Sequence, residues 1–291
     1  LVIAWPVGVG VFRQDNPKHF TDVTAESRLP SSVTRGSYTG AWPFDVDLDG
    51  DLDIVLGVSG ASPIVLRNNG DGTFGIVRPF EGVTGGVSFA AADVDGGGAP
   101  GVAMVGSDGK LSLFRNERFG RFRPYSAPAN QGAGAAAVSS GDIDSDGAAD
   151  FVVLKQDGAI FRVSANGSAE LARAGAQTAG LASLTLADLD NNGGLDLLTG
   201  SGEVFLNNGR GFEKLSGTPA VSSAGAADLN HDGRLDIAGI APDGKPVSLI
   251  NQGSKNYRWQ VVRTRAATAH GDQRINSFGL GGEIEIRAGL L

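Results

Sequence analysis

The stretch that decides the fold is DVDLDGDLD at residues 45–53, in which every odd position is an aspartate and the sixth is a glycine. The same nine-residue pattern returns at 142–150, 188–196 and 228–236, and a degraded copy stands at 93–101. In chain order the copies start 48, 49, 46 and 40 residues apart. A fixed spacing of this size indicates a repeat architecture.

The surroundings of each copy predict what one repeat contains. A short apolar run follows the aspartates, as at 54–56, and is too short for a helix, so it predicts a buried strand. A second strand follows and ends in a polar turn. Asn68, Asn116 and Asn251 each lie 23 residues after the first aspartate of their repeat, and Asn-Gly pairs tolerate the positive φ of hairpins. Each repeat therefore predicts about four short antiparallel strands, the size of one propeller blade.

The predicted fold is all-β, a β-propeller of four-stranded antiparallel blades. Five blades are expected to start near Tyr38, Phe89, Ala136, Ser183 and Ser223. Residues 1–20 align without a gap to 55–74, so the chain is expected to begin in mid-blade. Pairing of 257–266 with 1–5 would complete a sixth blade and hide exposed strand edges. Six blades are favoured, with seven as the alternative if the natural protein extends upstream.

The aspartate loops have the chemistry of a calcium site. Calcium takes six to eight oxygen ligands, and positions 1, 3 and 5 place side-chain oxygens on one side of a tight turn. Position 2 is always apolar and should anchor the loop, glycine at position 6 allows the turn, and variable position 7 suits a backbone carbonyl ligand. Position 9 returns an acid. The predicted ligands are Asp45, Asp47, Asp49, Asp51, Asp53, Asp142, Asp144, Asp146, Ala148, Asp150, Asp188, Asp190, Asn192, Gly194, Asp196, Asp228, Asn230, Asp232, Arg234 and Asp236.

About four calcium ions are expected. Loop 93–101 keeps only Asp93 and Asp95 as carboxylates, with Gly97 and Gly101 at positions 5 and 9, so we predict that it is empty or weak. An EF-hand is excluded because that loop has twelve residues, ends in Glu and lies between helices.

Composition excludes several functions. The chain of 291 residues has 32 acidic and 24 basic residues and a net charge of −8, and we expect no basic cluster, which argues against a nucleic-acid partner. No apolar stretch approaches the ~20 residues of a membrane-spanning helix. The absence of cysteine excludes thiolate metal sites, and with three histidines a catalytic triad is not expected.

The aspartate loops, each followed by a strand and an Asn-Gly turn, resemble the FG-GAP/VCBS repeats of integrin-α-like β-propellers over roughly residues 1–255. The resemblance implies that each loop joins the first two strands of a blade and binds Ca²⁺. Residues 259–262 and 277–289 resemble the opening of an ASPIC/UnbV domain, so 256–291 is expected to be a C-terminal β extension. Its alternative is two strands that close the ring.

We expect a calcium-stabilised, non-enzymatic scaffold or adhesion subunit that acts through protein–protein contacts, within a larger complex. The first alternative is a carbohydrate-binding propeller, in which Trp5, Trp42 or Trp259 could stack on sugars. The second is a domain of a polysaccharide-active enzyme. Extracellular calcium modules commonly bind at about 10⁻⁴–10⁻³ M, which predicts an extracellular, periplasmic or cell-surface location.

Overall fold

The computed structural model describes residues 1–128, 132–164, 167–177, 182–217, 221–253 and residue 262. In these ranges the chain forms six antiparallel sheets, here numbered blades 1–6 in chain order, and one short helix, α1 (Ser31–Thr34). No helix in the described ranges has the length and apolar character needed to cross a membrane. The prediction of an all-β propeller with six blades is confirmed.

Each blade is a meander in which every strand pairs with its neighbours in sequence. Blade 1 holds β1 (Val2–Trp5), β2 (Gly8–Asn16) and β3 (His19–Asp22). Blade 2 holds β4 (Tyr38–Phe44), β5 (Asp53–Val58), β6 (Ile64–Asn68) and β7 (Phe74–Val77). Blade 3 holds β8 (Gly86–Ala92), β9 (Gly101–Gly106), β10 (Leu111–Asn116) and β11 (Phe122–Tyr125).

The remaining blades follow the same order. Blade 4 holds β12 (Ala135–Gly141), β13 (Asp150–Lys155), β14 (Ala159–Ser164) and β15 (Gly167–Arg173). Blade 5 holds β16 (Leu184–Ala187), β17 (Asp196–Thr199), β18 (Val204–Asn207) and β19 (Phe212–Lys214). Blade 6 holds β20 (Ser222–Ala227), β21 (Asp236–Ile240) and β22 (Pro246–Leu249).

The meander places all five aspartate loops on one face. Each loop joins the first strand of its blade to the second, as 45–53 joins β4 to β5. The turn from third to fourth strand lies at the same end of an antiparallel meander. We call this end of the propeller the loop face.

Blade 1 consists of second, third and fourth strands. Arg13 pairs with Thr21 across β2 and β3, and 54 residues later Arg67 pairs with Gly75 across β6 and β7. The predicted alignment of 1–20 with 55–74 is therefore reproduced by the strand register. The expected closure of the ring by 257–266 concerns residues that lie outside the described ranges, apart from residue 262, and stays a prediction.

The core lies between blades. Five clusters of buried apolar side chains each combine residues from two consecutive blades. Between blades 2 and 3, the fully buried Phe80 contacts the rings of Phe114 and Phe122, with centroids 5.3 and 4.9 Å away. A blade cannot bury both of its faces alone, so each needs a neighbour.

The first strands of successive blades approach closely at the centre. Ser88 on β8 accepts a hydrogen bond from the backbone N–H of Val138 on β12 at 3.0 Å. A Cβ at Gly57 would lie 2.0 Å from the carbonyl oxygen of Gly86, so only glycine fits where blade 2 meets blade 3. These contacts fix the angle between blades and hold the loop face rigid.

Candidate metal centres and a neighbouring groove

All five aspartate loops adopt the same backbone turn. Position 4 has a positive φ of 58–68° in every copy, at Leu48, Gly96, Ser145, Asn191 and His231. Position 6, always glycine, is also left-handed, at Gly50, Gly98, Gly147, Gly193 and Gly233. Only the turn at position 6 was predictable from the sequence, because the residue type at position 4 varies.

The position-1 aspartate holds this turn together. Asp45 accepts hydrogen bonds from the backbone N–H groups of Asp49 at 3.2 Å and Gly50 at 3.0 Å. Its counterparts make the same pair of bonds in the other four loops, at Asp93, Asp142, Asp188 and Asp228. These carboxylates therefore preorganise the loop before any ligand is considered.

The position-9 aspartate links the loop to the sheet. Asp53 is fully buried, and its two oxygens accept the N–H groups of Val46 at 2.9 Å and Asn68 at 2.8 Å. Asn68 in turn donates from its side chain to the carbonyl oxygen of Leu52 at 3.3 Å. Equivalent bonds join Asp196 to Leu189 and Asn207, and Asp236 to Leu229 and Asn251. The equal Asp–Asn spacing of blades 2 and 6 was the sequence signal for these bonds, and it predicted only a hairpin turn.

Three loops bring carboxylates together. In each of them one oxygen from each of three aspartates lies within 4.8 Å of the others. The groups are Asp45, Asp47 and Asp49; Asp142, Asp144 and Asp146; and Asp188, Asp190 and Asp196. Loop 228–236 forms no such group of three, although all its residues are described.

Only part of the negative charge of these carboxylates is compensated, since Asp144 contacts the guanidinium of Arg162. Burial raises the pKa of Asp53 to about 7 and those of Asp150 and Asp196 to about 6. Asp47 Oδ1 and Asp150 Oδ2 are buried oxygens without a hydrogen-bond partner. Hard oxygen donors around unpartnered, buried carboxylate atoms suit a cation such as Ca²⁺. The predicted ligands at positions 1, 3 and 5 of loops 45–53 and 142–150 fit such an ion.

Loop 228–236 differs because it carries its own cation. Arg234 Nη1 lies 3.1 Å from Asp232 Oδ2, and the Arg234 backbone N–H holds the pKa of Asp232 below its usual value. Position 3 is the neutral Asn230, whose side chain donates to Asp232. The anchor is also weaker, because Leu229 is 44% exposed whereas Val46, Ile143 and Leu189 are buried.

In loop 93–101 two arginines from blade 3 pair with polar groups of the loop. Arg115 Nε lies 3.0 Å from Asp95 Oδ2, and Arg118 Nη2 donates to the carbonyl oxygen of Gly97 at 3.0 Å. Both arginines extend from the hairpin of β10 and β11. This arrangement supports the prediction that the loop is metal-poor.

A groove of about 460 Å³ lies beside loop 93–101, between blades 3 and 4. Its walls include Asp95, Arg115 and Asn116, together with the partly exposed ring of Tyr125. The Arg115 guanidinium carbon lies 5.9 Å from the centre of that ring. By contrast, Trp42 stacks on Phe89 with centroids 5.8 Å apart and packs in the core between blades 2 and 3.

Fold and loops together define a six-bladed β-propeller whose blades carry acidic loops between their first two strands. An FG-GAP-like repeat model matches residues 45–104 and 93–153, and an FG-GAP repeat model matches 220–257. The chain is therefore a propeller built of FG-GAP repeats. A following ASPIC/UnbV domain finds no such match and stays a prediction. No curated protein sequence matched the chain.

Two solved structures with a similar fold have partners that differ from each other. A lectin from Agrocybe aegerita that recognises non-reducing terminal N-acetylglucosamine is 22% identical, with a TM-score of 0.58 over 86% of this chain and 76% of the lectin. BBS1N, solved in complex with ARL6DN, is 14% identical, with a TM-score of 0.55 over 88% of this chain and 76% of that one. At such identities the likeness establishes the fold alone.

Proposed function

We propose that the chain is a calcium-stabilised, non-enzymatic scaffold that acts through protein–protein contacts outside the cytoplasm. The observation that carries this proposal is the convergence of three aspartates in each of three loops, with buried, unpartnered oxygens on Asp47 and Asp150. A bound Ca²⁺ would add positive charge to these loops, of which 142–150 already has the Arg162 guanidinium on Asp144. Asp45, Asp47 and Asp49 would hold it in blade 2, and Asp142, Asp144 and Asp146 in blade 4.

The scaffold role is supported by the rigidity of the frame. Loops and hairpin turns project from six sheets whose cores are shared with their neighbours, so the loop face presents a broad, fixed surface. FG-GAP propellers are typically non-catalytic and extracellular or cell-surface. Carboxylate sites of millimolar affinity would be filled at extracellular calcium levels but not in the cytosol.

Isothermal titration calorimetry of calcium with the purified chain tests the calcium-binding part of this proposal. We expect uptake of three to four ions, and no heat of binding would contradict it. Affinity capture from the extracellular fraction of the source cells, in calcium and in EDTA, tests the scaffold half. We expect a specific protein to be retained in calcium, whereas turnover of a polysaccharide panel by the pure chain would contradict a non-enzymatic role.

Carbohydrate binding is the second candidate, and the groove between blades 3 and 4 is the observation that favours it. An aromatic ring beside paired charged groups offers an apolar platform and hydrogen bonds to a neutral ligand. Glycan-array binding that is lost in Tyr125→Ala, but kept in Phe20→Ala, would support a lectin. Phe20 is a suitable control because it is an exposed aromatic on blade 1.

A further inference from the structure

The hairpin of β10 and β11 carries four arginines within nine residues, at Arg115, Arg118, Arg121 and Arg123. All four are exposed, on a chain whose net charge is −8. The expectation that the chain has no basic cluster is therefore wrong, because the acidic net charge of the whole chain hides these four residues. We call residues 115–123 the arginine hairpin.

At the tip of the arginine hairpin stands the most exposed large apolar side chain of the described residues. Phe119 is 79% exposed and has a φ of 54°, and Arg118 before it has a φ of 66°. In blade 2 the residue corresponding to Arg118 is Gly70, which adopts this conformation without strain. A bulky residue in the left-handed region is unfavourable, and such strain is concentrated at functional sites.

The tip is held rigidly in this conformation. The backbone N–H of Glu117 donates to the carbonyl oxygen of Arg121 at 2.8 Å, and that of Arg121 donates to the carbonyl oxygen of Arg118 at 3.2 Å. Asn116 Oδ1 accepts the N–H of Arg118 at 2.8 Å. The side chain of Arg118 is fastened to loop 93–101, and Arg123 pairs with Glu117 at 2.6 Å. An exposed phenylalanine and arginines on a preorganised turn are the residue types that dominate protein interfaces.

From this geometry we propose that Phe119 and Arg121 form the docking point for an acidic protein segment that covers Phe119 with apolar side chains. The inference rests on the proposed scaffold function and names its partner class. A protein segment is favoured over an anionic membrane because the loops on the same face contain 17 acidic residues. A flat anionic bilayer would be repelled by these loops, whereas a narrow segment meets only the hairpin.

Calcium should control this docking point. A Cβ at Gly120 would lie 3.6 Å from the Cβ of Asp47, so the hairpin tip of blade 3 abuts loop 45–53 of blade 2. Without a cation, Asp47 would repel an acidic segment at the tip, because it lies within a Debye length of ~8 Å at physiological ionic strength. A bound cation would reduce the repulsion. Binding of the acidic segment is therefore expected to weaken in EDTA.

The test is a phage-display selection of random short peptides that bind the intact chain. It is carried out at about 1 mM calcium, the upper end of the range of dissociation constants of extracellular calcium modules. We expect the enriched peptides to combine acidic residues with an aromatic or aliphatic one. Phe119→Ala and Arg121→Glu should each weaken their binding about tenfold, in the range of an interface hot spot. Arg210→Glu is the matched control, because Arg210 is exposed at the corresponding turn of blade 5 and the charge change is identical.

Phe119→Gly distinguishes an effect on peptide docking from an effect on folding stability. It should raise the melting temperature, because glycine relieves the positive φ, and still weaken peptide binding about tenfold, as Phe119→Ala does. Enriched peptides that bind all variants equally, no enrichment of acidic peptides, or calcium-dependent binding to phosphatidylserine vesicles that needs Phe119 would each overturn the proposal. If a captured extracellular partner is insensitive to Phe119→Ala, the docking point fails while the scaffold function stands.

Discussion

Loops 45–53 and 93–101 have the same backbone and opposite electrostatics. Position 4 is left-handed in both, at Leu48 and Gly96, and in both the first aspartate accepts two N–H groups of the turn. One loop has five aspartates and the other has two. The turn is therefore specified by its first carboxylate and its left-handed residues, and the remaining carboxylates are available for another task.

The two loops also differ in how their charge is balanced. In loop 45–53, Asp47 keeps a buried, unpartnered oxygen, and burial raises the pKa of Asp45 and Asp47. In loop 93–101, the guanidinium groups of Arg115 and Arg118 contact the carboxylate and carbonyl oxygens directly. We infer that one turn accepts two kinds of cation, a diffusible ion in blade 2 and a side chain in blade 3.

The largest effect is expected from Asp53→Ala in the first of these loops. The change leaves the N–H groups of Val46 and Asn68 without acceptors, and each buried, unpaired donor costs about 1–3 kcal/mol. We expect the free energy of unfolding to fall by about 2–6 kcal/mol in denaturant titrations. The loss should persist in EDTA, because it comes from hydrogen bonds. An effect that vanishes on chelation would mean that Asp53 acts only through metal.

Removal of calcium should come next in size. A site filled at one to ten times its Kd contributes about 0.4–1.4 kcal/mol, so three loops contribute about 1–4 kcal/mol. Chelation should lower the melting temperature in scanning calorimetry, and added calcium should restore it. An unchanged transition after prolonged dialysis against EDTA would contradict calcium stabilisation.

Asp49→Asn and Asp95→Asn compare the loops directly. Asp49 belongs to a converging carboxylate group, so its loss should remove most of one site's calcium stabilisation, about 0.4–1.4 kcal/mol. Asp95 loses only a partly exposed ion pair, worth about 0–1 kcal/mol, and the change should be the same with and without calcium. Calcium-dependent destabilisation by Asp95→Asn would show that loop 93–101 binds the ion.

The stabilising effect of calcium should depend on pH. In EDTA the folded pKa values of Asp53, Asp150 and Asp196, at about 7, 6 and 6, exceed the ordinary value of 3.8. The folded state then binds more protons than the unfolded state, so stability in EDTA falls as pH rises from about 4 to about 7. The difference in melting temperature between calcium and EDTA should therefore grow between about pH 5 and about pH 7.5. A difference that shrinks over this interval would contradict the raised pKa values.

The smallest effect is expected in loop 228–236, whose charge balance is intermediate between those of loops 45–53 and 93–101. Arg234→Gln removes the guanidinium that pairs with Asp232. Freed of a partly exposed ion pair, the loop should bind calcium about two- to fivefold more tightly. Calorimetric titration of calcium into the variant and, in a parallel experiment, into the unchanged chain measures this gain. Weaker binding would mean that Arg234 supports the site rather than competing with it.

The repeat predicted most of the fold. The five aspartate loops predicted five blades, and the alignment of 1–20 with 55–74 predicted the sixth and its strand order. Local patterns suffice for this because each blade is a meander of sequence neighbours. The convergence of positions 1, 3 and 5 in loops 45–53 and 142–150 was also local and was predicted.

What sequence reasoning missed depends on contacts across the fold. The left-handed residue at position 4 varies in type from Leu48 to His231, so no composition marks it. Arg118 reaches loop 93–101 from 20 residues away, and Gly120 meets Asp47 in the neighbouring blade. The four intact loops were expected to bind calcium alike, because the pairing of the Arg234 guanidinium with Asp232 inside its own loop was not foreseen.

The five inter-blade clusters have a consequence for how the molecule comes apart. Every core described is shared by two consecutive blades, so no blade holds a core of its own. Unfolding of one blade exposes half of each adjoining cluster and weakens its neighbours, as in a row of coupled units. Amide protons of adjoining blades should then exchange together, because the loss of one blade removes half of the core that it shares with the next. Cooperativity in this propeller is therefore a property of the contacts between blades and not of the single repeat.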